Sequence, residues 1–150
     1  MRVCDVSKDI IKRLHIGIIS SRFNAPVVEQ LLSSCTKKLI SEGVHSNNIS
    51  HTEVPGALEI PVVANAFALS NKFDVLIGVG AVIRGETYHF EVVSDQSAFG
   101  LMQVQLSHNI PVVNAIITTN SGDEAFARTI IKGEEAALAA IEMAILLKSI

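Results

Sequence analysis

Short β-branched runs alternate with longer stretches whose apolar residues recur at helical spacing, and this alternation continues along the whole 150-residue chain. The run Leu14-His15-Ile16-Gly17-Ile18-Ile19-Ser20 predicts a strand that feeds directly into Ser21-Arg22-Phe23-Asn24. Asn24 is expected to cap the next helix with its side chain, and Pro26 is tolerated in a first turn. Val27, Leu31, Cys35 and Leu39 then share one helical face until Gly43 supplies the stop. Residues 49–54 predict a weaker strand, interrupted by Ser50, His51 and Glu53; Pro55-Gly56 turns the chain, and 57–70 predicts a helix with Pro61 in its first turn.

Residues 74–83 form a nearly continuous apolar run, the pattern of a strand covered on both faces. Residues 89–108 predict a helix, Asn109-Ile110-Pro111 breaks it, and 112–117 predict a fourth strand. Thr118-Thr119-Asn120-Ser121-Gly122 reads as a polar loop before a short helix over 123–130. Gly133 is expected to separate that helix from a last one over 134–147, which has little polar face. The series describes a single domain over residues 1–150, with 1–13 expected to be extended or poorly ordered.

Strands alternating with helices imply parallel pairing and right-handed crossovers, hence a three-layer α/β sandwich with a central four-stranded parallel sheet and helices on both faces. In such sheets ligands bind beyond the carboxyl ends of the strands. Four loops are thereby expected on one edge, at 21–24, 54–59, 84–89 and 118–123, together lining one pocket.

Composition narrows the setting. Hydrophobic residues make up 49% and charged ones 18%, with no Trp and one Tyr, so Val, Ile, Leu and Ala supply the apolar surface, and part of it is expected to be buried between subunits. The net charge is −3 with Lys and Arg scattered, which argues against a nucleic-acid footprint. Cys4 and Cys35 fall in no metal-ligand pattern, and Cys35 lies on an apolar helical face, the position of a buried reduced thiol. Neither a signal-like apolar region nor a stretch of ~20 uninterrupted apolar residues is present, so the expectation is a cytoplasmic protein that does not span a membrane.

The candidate chemistry gathers after the third strand, where residues 84–90 read Arg-Gly-Glu-Thr-Tyr-His-Phe. Gly78 and Gly80 invite comparison with a dinucleotide fingerprint, but the next glycine is Gly85 and the first two lie inside the strand; close helix packing explains them better. Gly85, Glu86 and Thr87 immediately precede a helix, so backbone N–H groups and the helix dipole there suit an anion such as phosphate; a plain capping loop is the alternative. His89, in the first turn, offers a proton acceptor near pH 7 unless it merely caps or decorates the surface. His15, His45, His51 and His108 form no metal-ligating pattern, and neither a nucleophile elbow nor a P-loop is found.

Taken together, Ser21-Arg22-Phe23-Asn24, Val54-Pro55-Gly56-Ala57-Leu58-Glu59-Ile60-Pro61, Gly80-Ala81-Val82-Ile83-Arg84-Gly85-Glu86-Thr87-Tyr88-His89-Phe90 and Lys132-Gly133-Glu134-Glu135-Ala136-Ala137 resemble the 6,7-dimethyl-8-ribityllumazine synthase family, in order and from about Leu14 onward. The resemblance implies condensation of 5-amino-6-(D-ribitylamino)uracil with 3,4-dihydroxy-2-butanone 4-phosphate, the penultimate step of riboflavin biosynthesis, with neither metal nor redox cofactor. It implies that Phe23 stacks on the pyrimidine, and that Ala57, Leu58, Glu59, Ala81, Val82 and Ile83 hold the ring and ribityl chain. It further implies that Gly85, Glu86 and Thr87 receive the phosphate, that His89 moves protons, and that Arg128, with Lys132 a further candidate, reaches in from a neighbouring subunit. The fold expected is the three-layer sandwich with flavodoxin-like strand order 2-1-3-4. A homopentamer with shared sites is implied as well; some members build shells of twelve pentamers, and some associate with riboflavin synthase.

Two departures are visible. Asn114 stands where many members carry an aromatic residue, so a stacking wall becomes an amide able to hydrogen-bond the pyrimidine, and only Thr129-Ile130-Ile131 separate Arg128 from Lys132-Gly133, where many members carry a longer connection. A binder of flavins or pteridines without turnover, or a protein whose shell is its purpose, would share the scaffold; His89 beside a phosphate loop favours catalysis.

Overall fold

The computed structural model describes residues 8–150. Of the N-terminal segment, residues 1–7, including Cys4, lie outside the described residues; Lys8–Lys12 form a short helix, α1, that seats Ile11 in the core rather than running extended. The other elements are β1 (Ile16–Ser21), α2 (Ala25–Ser41), β2 (Ile49–Val54), α3 (Ile60–Leu69), β3 (Val75–Ile83), α4 (His89–His108), β4 (Val112–Thr119) and α5 (Gly122–Lys148). All four strands are parallel in the order β2-β1-β3-β4, as expected. No helix among the described residues is long and apolar enough to cross a membrane.

Side-chain alternation along the strands feeds two cores. Ile16 and Ile18 of β1 and Val75, Ile77, Val79 and Ala81 of β3 face α2 and α5, where Leu31, Cys35, Leu39, Ala137, Ala140 and Ile141 meet them. On the other face, Ile19, Leu76, Val82 and Ile116 meet Ile60 and Ala64 of α3 and Leu101 and Val104 of α4. Gly78 is on that second face, where an added Cβ would lie 3.0 Å from Leu101 and 3.2 Å from Ile60, so close helix packing accounts for it. Cys35 is completely buried, and loss of solvation raises its thiol to about 12.

Several expected boundaries move. Residues 57–59 form a single 3₁₀ turn before α3 begins, because the chain leaving Gly56 first tightens around the end of β2; Pro61 stays in the first turn of the α-helix proper. β4 continues through Thr118 and Thr119, which pair with Val82 and Ile83, so the polar loop is shorter than the residue types suggest.

The largest correction concerns the C-terminal region. Instead of two helices divided at Gly133, α5 is one continuous helix of 27 residues. Gly133 does not end it. An added Cβ there would sit 2.6 Å from the Ser34 Cβ and 2.8 Å from the Leu31 carbonyl oxygen, so the missing side chain is what lets α2 and α5 cross closely. Ser34 Oγ donates to the Ile130 carbonyl at 2.7 Å and Thr129 Oγ1 to Gln30 Oε1 at 3.1 Å, joining the helices beside the crossing. The helix starts at Ser121, whose hydroxyl accepts from the Glu124 N–H, with Asp123 and Glu124 in the first turn where the dipole favours carboxylates.

Gly133→Ala is expected to cost ~1–3 kcal/mol through overpacking, more than the ~1 kcal/mol an alanine gains over glycine inside a helix; a thermal unfolding midpoint at or above that of the parent chain would show that the crossing is not tight. Cys35 should resist alkylation in the native protein at pH 8–9 and react on denaturation, with the site read by peptide mass spectrometry; rapid native labelling would contradict its burial.

Candidate active site

Three strand ends meet at the carboxyl edge of the sheet. Pairing of β1 with β2 continues past the strands, because Arg22 N–H donates to the Val54 carbonyl at 2.8 Å and Phe23 N–H to the Pro55 carbonyl at 3.1 Å. Asn24 then takes a left-handed backbone, with φ 61° and ψ 41°. It stands at the N-cap position of α2, as expected, but its side chain makes no bond to the first N–H groups of that helix. Its Nδ2 donates instead across the sheet to the Ala81 carbonyl at 2.8 Å, tying the start of α2 to the end of β3. Asparagine suits both tasks, since it tolerates the left-handed region and carries a short amide donor.

These strand ends enclose a cavity of about 450 Å³, in the range of small-molecule sites. Of the expected site residues, Phe23, Ala57, Leu58, Glu59, Ala81, Val82, Ile83, Gly85, Thr87 and His89 line it. Phe23 is 71% exposed and stands at the rim with its ring uncovered, an unusual cost for an aromatic side chain unless a ligand covers it. Glu86 is exposed and does not line this cavity. Asn24, Pro55 and Gly56 line the cavity too, within the loops expected at 21–24 and 54–59, whereas sequence reasoning missed Phe90 and Val93 as lining residues and Asn24 as a tether. The spacing of His89 and Val93, one helical turn apart, is the one signal that could have placed Val93 on the cavity side.

The first turn of α4 forms the polar wall. Tyr88 precedes the helix and makes no side-chain cap; its carbonyl accepts from the Glu91 and Val92 N–H groups, and its ring is 73% exposed. Thr87 Oγ1 accepts from the His89 N–H at 3.3 Å. The His89 ring itself has no hydrogen-bond partner among the described residues, which leaves an unpartnered imidazole in the cavity wall. Gly85 has nothing within 4 Å of where a Cβ would stand, so the approach to the helix start is open.

The remaining candidates lie elsewhere. Asn114, Arg128 and Lys132 line a second depression, of about 430 Å³, formed by the edge strand β4 and by α5 together with Thr118 and Glu135. Because α5 is continuous, Arg128 and Lys132 are one turn apart on the same face. Arg128 Nη1 donates to the Glu124 carbonyl at 3.0 Å, and Lys132 pairs with Glu135 at 2.9 Å. Asn114 Oδ1 accepts from the Ile116 N–H at 3.0 Å, satisfying a donor on an edge strand. The loop at 118–123, expected to join the others around one pocket, does not line the first cavity. Backbone pairing draws it to the end of β3, where the Arg84 N–H donates to the Thr119 carbonyl at 2.9 Å.

Comparison with known proteins identifies the family to which the chain belongs. The family model for 6,7-dimethyl-8-ribityllumazine synthase matches residues 13–148. The chain is 56% identical to the 6,7-dimethyl-8-ribityllumazine synthase of Nitrosomonas europaea over 131 residues, covering 87% of this chain and 80% of that one. It is 54% identical to the protein of the same name from Nitrosospira multiformis, over 87% of this chain and 82% of the relative, and 52% identical to that of Methylobacillus flagellatus over 93% of each. With a family match over nearly all of its length and relatives that share more than half of the aligned residues, the chain belongs to the 6,7-dimethyl-8-ribityllumazine synthase family.

Proposed function

We propose that the cavity at the ends of β1, β2 and β3 is where 5-amino-6-(D-ribitylamino)uracil and 3,4-dihydroxy-2-butanone 4-phosphate are joined, and that an adjacent copy of the chain completes it. Membership of the family makes the chain a transferase of riboflavin biosynthesis acting on small molecules, which forms 6,7-dimethyl-8-ribityllumazine with loss of phosphate and water. The observation that carries the site assignment is the convergence on one cavity of an uncovered aromatic ring, Phe23, a carboxylate, Glu59, an open helix start at Gly85 and Thr87, and an unpartnered imidazole, His89.

In this reading Phe23 stacks on the pyrimidine, while Ala57, Leu58 and Glu59 hold the ribityl chain and Ala81, Val82 and Ile83 contact the ring. The substrate amine is the nucleophile. It attacks the ketone carbon, a C–N bond forms, and the carbonyl oxygen leaves as water after accepting protons. Loss of a proton from the butanone carbon skeleton then expels phosphate with its electron pair, and attack by the second amine closes the ring with loss of another water. Each step moves protons near the start of α4, the role assigned to His89, worth roughly 10²–10⁴-fold. Holding two substrates in register contributes more, ~7–11 kcal/mol in favourable cases.

Phosphate is received by Gly85, Glu86 and Thr87 at the helix start, and Arg128, with Lys132 beside it, is presented by the neighbouring copy together with Asn114. Apolar side chains left uncovered on the single chain support such a neighbour: Phe99, Met102 and Leu106 on α4, and Phe126, Ile130 and Ile131 on α5. A ring of five copies in the cytoplasm is the assembly we infer; closure of rings into a shell and association with riboflavin synthase rest on the resemblance alone.

The purified protein, mixed with the two substrates, should raise lumazine absorbance and phosphate release well above the spontaneous condensation; no increase would overturn the reading. His89→Ala should lower kcat by about 100-fold, the lower end of the range for general acid–base help, without abolishing turnover. Arg128→Ala should raise KM for the phosphate substrate, and activity should partly return when Arg128→Ala and His89→Ala subunits are dissociated and reassembled together. Failure of mixing to restore activity would mean that both residues serve one chain's site.

A further inference from the structure

Arg84 lines neither the cavity nor the second depression, yet its side chain is more completely engaged than any other cation among the described residues. Its Nε donates to Asn120 Oδ1 at 2.9 Å, its Nη1 donates to Glu91 Oε1, and its guanidinium carbon lies 4.3 Å from the centroid of the Phe90 ring. Its own backbone N–H donates to the Thr119 carbonyl at 2.9 Å. Asn120 N–H in turn donates to Glu124 Oε2 at 3.0 Å, and the Glu124 carbonyl accepts from Arg128 at 3.0 Å. Glu91 is held below the ordinary carboxylate range, chiefly by the hydrogen bond from Arg84.

We propose that Arg84 is a positioning residue for the reaction: its fork holds the first turn of α4, which carries His89 and Phe90, against the turn that opens α5. A guanidinium is suited to this because its donors diverge in one plane, so two acceptors on different elements are held at once while the face covers an aromatic ring. A direct ligand for phosphate would need free donors facing the cavity; here Glu91 neutralises the charge and Asn120 occupies Nε. The geometry matters because a reacting group displaced by about 1 Å can cost ~10²-fold in rate. This role rests on the assignment of His89 to proton transfer.

Arg84→Met keeps an apolar stem against Phe90 and removes the fork. It should lower kcat by about 10- to 100-fold, change KM for the phosphate substrate less than about threefold, and accelerate hydrogen exchange of the Glu91 and Val92 amides, which bond the Tyr88 carbonyl, by at least about tenfold relative to the interior of β3. Arg84→Lys should recover only part of the rate, since one ammonium cannot reach both acceptors in the same geometry. Glu91→Gln and Asn120→Ala, which leave Arg84 in place, should each give a smaller form of the same kcat loss and exchange change. Unchanged exchange at Glu91 and Val92, a normal kcat with a lowered melting temperature, or a rise in KM for the phosphate substrate with kcat intact would overturn the proposal. Exchange is read without turnover, so an inactive parent chain would count against the assigned reaction and leave the fork to be judged by its own measurement.

Discussion

Everything in this fold follows from burying β1 on both faces while it pairs with a parallel neighbour on each side. All six of its residues are buried, Ile16 and Ile18 toward α2 and α5, Ile19 toward α3 and α4. Parallel neighbours cannot be joined by tight hairpins, so each crossover must carry a helix across a face, and the carboxyl ends of β1, β2 and β3 arrive together on one edge. The order β2-β1-β3-β4 reverses direction at β1, and the crevice opened there is the cavity. The apolar core thus creates a polar opportunity at its rim, where backbone donors and acceptors lose their ladder partners.

The rim is held by polar contacts that cross between elements. Asn24 reaches the Ala81 carbonyl, Arg84 reaches Glu91 and Asn120, and Asn120 reaches Glu124. The contacts of Arg84 and Asn120 are exposed and contribute little to overall stability, whereas the Asn24 contact is partly buried. Their value is geometric, since the loops they restrain carry Phe23, His89 and, one turn further along α5, Arg128. A reaction whose nucleophile is supplied by its substrate asks the protein chiefly for such restraint.

The same logic explains why one chain divides its apparatus. His89 and the helix start face the cavity, while Asn114, Arg128 and Lys132 lie on the outer side of β4 and α5. β4 is an edge strand with an outward donor satisfied by Asn114, and the flanking apolar side chains of α4 and α5 remain uncovered in the single chain. In the proposed assembly such a surface is completed by a partner, and a reaction site lying between copies would tie activity to assembly.

The residue sequence by itself determined the strands, most of the helices and the sheet's parallel character, because period and β-branched content are local signals. It also placed the site at the strand ends, while the resemblance of the strand-end motifs to a family supplied most of the individual residues that line the cavity. It misled at Gly133, read as a break, because glycine has two uses and only the approach of Ser34 and Leu31 reveals that packing, not termination, requires it. It misled at Asn24 for a similar reason: a helix start offers local donors to an asparagine, whereas its actual acceptor, the Ala81 carbonyl, is 57 residues away in the chain. Arg84 had no local reading at all. Its side-chain partners lie on α4 and in the turn between β4 and α5, and only the tertiary structure, by bringing Asn120 and Glu91 to one side chain, decided what that arginine does.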